Sequence, residues 1–163
     1  MLRATFLLLI LATQPIVAGN QTDGKVPSEQ PPLAHQFALK DASGRIVRLK
    51  DYKGKIVVIN FWATWCAPCL AEVREFVRLQ RSYRNLGLQV VGVAYPPINP
   101  GRVRRLAVKS RINYPLLFGN RRIAKLYGVT DVLPVTIIVG RQGRLEGRID
   151  GVTDLQEVEK FLQ

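Results

Sequence analysis

Two sulfur atoms carry the chemical content of this chain. Cys66 and Cys69 are its only cysteines, and they stand two residues apart in Trp65-Cys66-Ala67-Pro68-Cys69. A pair so spaced can pass between dithiol and disulfide, anchor half of a metal site, or staple the backbone. A staple closing so small a loop restricts the unfolded chain little, because the stabilisation grows with loop length. A zinc site needs more ligands, yet no second cysteine pair exists and His35 is the single histidine. Reversible thiol–disulfide exchange is the chemistry this spacing supports. In that chemistry Cys66 is the attacking thiol and Cys69 the resolving one.

Those roles depend on the elements that hold the sulfurs. Ile56-Val57-Val58-Ile59 is a continuous β-branched run, the pattern of a strand covered on both faces. From Cys69 the pattern turns helical: Leu70, Val73, Phe76, Val77 and Leu79 give an apolar stripe, and the helix extends to about Tyr83. Pro68 suits a first turn, where a missing N–H costs little. Cys66 therefore falls at or just before the helix start. Unpaired N–H groups and the positive dipole end stabilise an anion there, which lowers a thiol's pKa. Cys69 sits deeper. Glu72, three residues on, shares its helix face. Facing inward, Glu72 would have a raised pKa and could exchange a proton with Cys69. Facing outward, it would be a solvated first-turn carboxylate favoured by the dipole.

The stretch Phe61-Trp62-Ala63-Thr64-Trp65-Cys66-Ala67-Pro68-Cys69 resembles the thioredoxin superfamily, and within it the TlpA/ResA/CcmG-like branch of exported thiol–disulfide oxidoreductases. The likeness runs from about Phe37 to the C-terminus. It implies a thioredoxin-like α/β fold: a central mixed β-sheet flanked by helices, an N-terminal β-hairpin and a helix–strand insertion. It implies a proton-handling role for Glu72, since ResA-like members carry a glutamate there. Asn60 stands where cytoplasmic-type thioredoxins have a buried, titrating aspartate. The resemblance also implies a cis peptide bond before Pro134. That geometry would turn the backbone of Leu133 toward the sulfurs, to pair with a bound peptide as an added strand. Trp65, beside Cys66, would shield the sulfur and offer a partner an apolar contact, while Trp62 belongs to the core. Pro68 completes the substrate-facing set. One departure is visible: Tyr127-Gly128-Val129 to Pro134 is a residue longer than the usual pattern.

The flanking chain fills in that frame. Residues 1–19 read as a signal peptide: Met1-Leu2-Arg3, an apolar stretch from Thr5 to Ala12 too short to span a bilayer, a break at Pro15, and small residues near Ala18. Export would place the cysteines in an oxidising compartment, so a dithiol form needs an electron supply. Residues 20–32 read as a flexible linker and 33–163 as the folded domain. Residues 36–40 and 45–49 alternate around Asp41-Ala42-Ser43-Gly44 as a hairpin. His35 precedes it as an exposed loop residue. Asn85-Leu86-Gly87 closes the first helix, and residues 88–94 form a second buried strand, parallel to the first. A proline-bearing loop, a basic helix over 102–111, a short strand at 114–118 and a second basic helix over 121–127 follow. Strands at 135–139 and 145–149 precede a last helix capped by Thr153 or Asp154, with Val152, Leu155, Val158 and Leu162 inward.

The formal charge of +12, with arginines at 102, 104, 105, 111, 121 and 122, fits anionic head groups, an acidic partner or a solvated surface. Export and the lack of interleaved aromatic residues weigh against nucleic acid. No cofactor is expected. Three functions compete: a reductase of partner-protein disulfides, an oxidant that introduces them, and a redox sensor without turnover. A peroxidase would need a threonine three residues before the reactive cysteine, whereas Thr64 lies two before Cys66. The expected partners are exported disulfide proteins, apocytochrome c among them, with a membrane thiol-electron transporter as reductant.

Overall fold

The computed structural model describes residues 30–96 and 99–162, so the signal peptide expected over 1–19 and most of the linker lie outside the described residues. The apolar run becomes β3 (Ile56–Trp62), all seven residues buried. It occupies the middle of a five-stranded sheet. β4 (Leu88–Ala94) and then β5 (Leu116–Phe118) lie on one side, and β6 (Val135–Val139) and β7 (Leu145–Asp150) on the other. β3 runs parallel to β4 and antiparallel to β6, which makes the sheet mixed.

The period-two alternation of β3 divides the core. Val57, Ile59 and Phe61 pack in one cluster with Phe37, Leu39, Ile123 and Tyr127. Those partners come from the N-terminal segment, β1 (Ala38–Lys40) and α3 (Arg121–Leu126). Ile56 and Val58 face the other way, onto Phe76 and Leu79 of α1 (Ala67–Tyr83) and Val158 of α4 (Leu155–Glu159). Each such fully covered side chain contributes about 1.5–3 kcal/mol. Beyond them Trp62 shares a third cluster with Val103 of α2 (Pro100–Lys109) and with both cysteines.

β1 and β2 (Ile46–Arg48) form the expected hairpin as a separate two-stranded sheet. Its turn is organised by Asp41, whose carboxylate accepts bonds from the N–H groups of Ser43 and Arg45, the Ser43 hydroxyl and the Arg45 guanidinium. Burial pushes that carboxyl up, but these bonds outweigh it and hold the pKa at about 2. The turn then docks on the sheet edge, with the Ala42 N–H donating to the Leu116 carbonyl. Gly87, at φ 86°, closes the helical segment after α1 in the left-handed region that favours glycine.

Four local expectations are corrected. Leu70 is not part of the buried stripe of α1; it is 37% exposed. Val152 is likewise exposed rather than turned inward. Residues 31 and 32, placed in the flexible linker, are docked: Pro32 accepts from the Leu145 N–H and Pro31 from the Arg144 guanidinium. α2 begins at Pro100 and ends at Lys109, because Asn99 caps it by accepting from the Gly101 and Arg102 N–H groups. Among the described residues no helix is long and apolar enough to cross a membrane.

Candidate active site

The sheet and α1 meet at the C-terminal end of β3, and the two sulfurs lie there. Cys66 is the N-cap of α1, with extended backbone, and its Sγ accepts the Cys69 N–H at 3.3 Å. The helix start thus places a backbone donor on the Cys66 sulfur. The two cysteines are joined as a disulfide with Cα atoms 5.3 Å apart. Both are nearly covered, Cys66 at 5% and Cys69 at 2% exposure. Ala67 and Pro68 stand exposed between them.

Glu72 takes the inward alternative. It is only 3% exposed, one turn below Cys69, and side chains so spaced on a helix are neighbours at roughly 5–6 Å between Cβ atoms. Its Oε1 accepts the Thr153 backbone N–H, while Oε2 is buried with no partner among the described residues. Burial pushes this carboxyl up, against the opposing pull of the Thr153 hydrogen bonds. A buried oxygen with nothing to accept from suits a group that binds and releases a proton. Tyr114 packs against the cysteine cluster, and burial together with the Glu72 charge pushes its hydroxyl up as well.

A string of polar groups under α1 was not foreseen. Asn60 Nδ2 donates to Thr136 Oγ1 at 3.1 Å, and the Thr136 and Thr153 hydroxyls share a bond of 2.8 Å. With the Thr153 N–H on Glu72, the string runs from the middle of β3 to the carboxylate. All four residues are buried. The signal was present in the sequence: Asn60 and Thr136 are lone polar residues inside apolar runs, and they are register partners across β3 and β6.

The peptide bond between Leu133 and Pro134 is cis, as expected, despite the longer approach from Tyr127. Tyr95–Pro96 is also cis, which was not anticipated. Leu133 packs against the cysteine cluster, so the segment lies beside the disulfide. Trp62 is core, as expected. Trp65 is 60% exposed and presents most of its ring to solvent. Trp62, Ala63, Ala94, Val103 and Leu116 pack in one cluster with the two cysteines. His35 is an exposed loop residue, its ring edge-on to Tyr127. A hollow of about 440 Å³ lies at the opposite end of β3 between Leu33, Tyr52, Val57 and Val139, away from the sulfurs.

Comparison with known proteins agrees with this geometry. The model of the AhpC/TSA family matches residues 32–148. The chain is 30% identical over 166 residues to the thiol–disulfide oxidoreductase ResA of Geobacillus thermodenitrificans, across 99% of this chain and 93% of that one. It is 34% identical over 131 residues to the thioredoxin-like protein YneN of Bacillus subtilis, across 79% and 76%. Among solved structures it is similar to a Chlorobium tepidum protein designated a DsbE thiol:disulfide interchange protein. That match has a TM-score of 0.74 and 25% identity, covering 83% of this chain and 99% of that one. A second Chlorobium tepidum protein, of the thioredoxin family, shares the fold at a TM-score of 0.73 and 23% identity, covering 82% and 94%. With a cysteine-capped helix, a cis-proline segment beside the sulfurs and these relatives, the chain belongs to the AhpC/TSA family and is a thiol–disulfide oxidoreductase of the ResA/DsbE type.

Proposed function

We propose that the protein is an exported reductase of disulfides in partner proteins. The observation that carries this reading is the buried Glu72 carboxyl, one turn below a buried resolving thiol. In the reduced protein the Cys66 thiolate attacks one sulfur of a partner disulfide. The partner's S–S bond breaks, a Cys66–partner bond forms, and the departing thiolate takes a proton from water. Cys69 then gives its proton to Glu72 and attacks Cys66 Sγ. The second partner thiolate leaves, and the Cys66–Cys69 bond holds the two electrons' worth of oxidation. Leu133, packed against the cysteine cluster, pairs its main chain with the partner segment in strand fashion, while Trp65 and Pro68 supply apolar contact.

The reductase direction is favoured because burial of Cys69 and its nearness to an ionisable carboxyl both penalise thiolate there. With Cys69 held as a neutral thiol, only Cys66 can lend thiolate stabilisation to the reduced pair, which limits how firmly the pair keeps its electrons. Export rests on the apolar leader, and an apocytochrome c partner on the resemblance to cytochrome-maturation proteins; a membrane thiol transporter would restore the dithiol. The test is turnover of disulfide-bonded insulin with dithiothreitol as electron donor. The wild type should accelerate insulin reduction, Cys66→Ser should abolish the effect, and Cys69→Ser should accumulate a mixed disulfide. Undiminished turnover by Cys66→Ser would remove the assignment.

A further inference from the structure

The cysteine pair has a neighbour that the exchange chemistry does not use. A cleft of about 340 Å³ opens between the active-site loop and α2, lined by Thr64, Leu70, Arg102, Arg105, Leu106 and Lys109. Thr64 lies two residues before Cys66 and Leu70 directly follows Cys69, so the cleft borders the disulfide. Its floor is apolar and its outer wall is cationic.

The wall is fixed in place. α2 is held against the cysteine cluster by Val103, which is fully buried, with Leu106 and Ala107 packed beside it. Arg102, Arg105 and Lys109 follow at steps of three and four, so they form one stripe. All three are exposed, and among the described residues none is in an ion pair. The surrounding chain supplies no relief. Residues 76–130 contain eleven lysines and arginines and not one aspartate or glutamate.

This arrangement works against the helix itself. Arg102 sits in the first turn, where the dipole favours negative charge. Arg105 and Lys109 are like charges four residues apart, which repel. A surface present only for solubility would intersperse signs. Leu70, exposed where the periodicity called for burial, supplies apolar area to the lining.

We infer that this cleft is the specificity surface of the enzyme, and that it selects partner polypeptides with acidic and apolar residues flanking the target disulfide. The inference rests on the reductase reading and adds the class of substrate. An acidic segment would lay its apolar side chains on Leu70 and Leu106 and its carboxylates along Arg102, Arg105 and Lys109. Its disulfide would then lie over Cys66. Complementary charge of this kind acts mainly on encounter rate and selectivity, and salt weakens it. A phospholipid surface would also meet cations, but it has no use for a cleft set beside a redox pair.

The experiment uses prereduced protein in single turnover with two synthetic peptides, each closed by one disulfide. One is flanked by Asp, Glu and Leu, the other by Lys and Leu. Rates are normalised to those with hydroxyethyl disulfide, a small neutral substrate. At low ionic strength the acidic peptide should react about tenfold faster or more, and the ratio should shrink toward one as salt is raised. The combined reversal R102E, R105E and K109E should cancel or invert the ratio. Reversal of Lys50 and Lys53, at the far end of β3, should leave it intact. Equal rates for both peptides, or the same loss from the Lys50 and Lys53 reversal, would overturn the inference. So would cation-dependent binding to phosphatidylglycerol vesicles without any peptide preference. Failure to reduce even hydroxyethyl disulfide would instead show the reductase reading to be wrong, and this inference with it.

Discussion

At the residue scale the chemistry depends on one anion and one proton. Cys66 accepts a backbone N–H at the start of a 17-residue helix, so its thiolate should form below the pH at which free cysteine ionises. Iodoacetamide labelling of the reduced protein should show Cys66 reacting with a midpoint at least about one pH unit under the ~8.5 of free cysteine. Reaction no faster than free cysteine at acidic pH would contradict the N-cap account. Glu72 is the proposed proton partner. Its pKa is raised in the fold by burial. Its contribution to stability is therefore fully present below the unfolded carboxyl's value and is lost as pH rises through the folded one. Glu72→Gln should gain stability relative to the wild type as pH increases in urea titrations, and should slow release of the mixed disulfide by about tenfold. An unchanged release rate and pH profile would leave Glu72 structural only. Spacing put Glu72 on the face of Cys69, but helical periodicity alone does not say which side of the helix is covered. That was settled by Thr153, eighty-one residues away, whose N–H holds the carboxylate.

At the element scale local pattern was informative wherever burial and hydrogen bonding follow from short-range sequence. β4 and β6 begin and end where their apolar runs do, and the hairpin turns at Asp41 as the glycine-bearing loop implied. Leu70 and Val152 were misread for the opposite reason: an apolar residue at the right period is buried only if another element arrives to cover it. The active-site cleft leaves Leu70 uncovered. The polar string of Asn60, Thr136 and Thr153 escaped notice because it is assembled from three distant segments. The hairpin offers a separate test. Asp41 has a depressed pKa, so its stabilisation is present above the unfolded carboxyl's value of about 3.9 and is lost as pH falls toward 2. Asp41→Asn should be less stable by about 1–2 kcal/mol at neutral pH, from weakened charge-assisted hydrogen bonds. The difference from the wild type should shrink between about pH 4 and pH 2. A pH-independent difference in chemical denaturation would show that the turn does not depend on the ionised carboxylate.

At the scale of the whole molecule, one sheet brings three distant pieces of chain to a single point. β3 delivers the sulfurs, the segment before β6 delivers Leu133 and Pro134, and α2 delivers a cationic wall. The mixed order β5-β4-β3-β6-β7 makes this convergence possible, since the C-terminal end of central β3 lies beside both the α2 side and the start of antiparallel β6. The motif and the resemblance it carried made this architecture readable in advance, whereas the placement of basic residues along one wall required the packed structure. The direction of electron flow is a property of the assembled pair and its surroundings. The most direct measurement is therefore the reduction potential of Cys66–Cys69, by equilibration with glutathione or dithiothreitol redox buffers. The account predicts a value within about 50 mV of thioredoxin's roughly −270 mV. A value of about −170 mV or higher would mark the protein as an oxidant and contradict the reductase assignment.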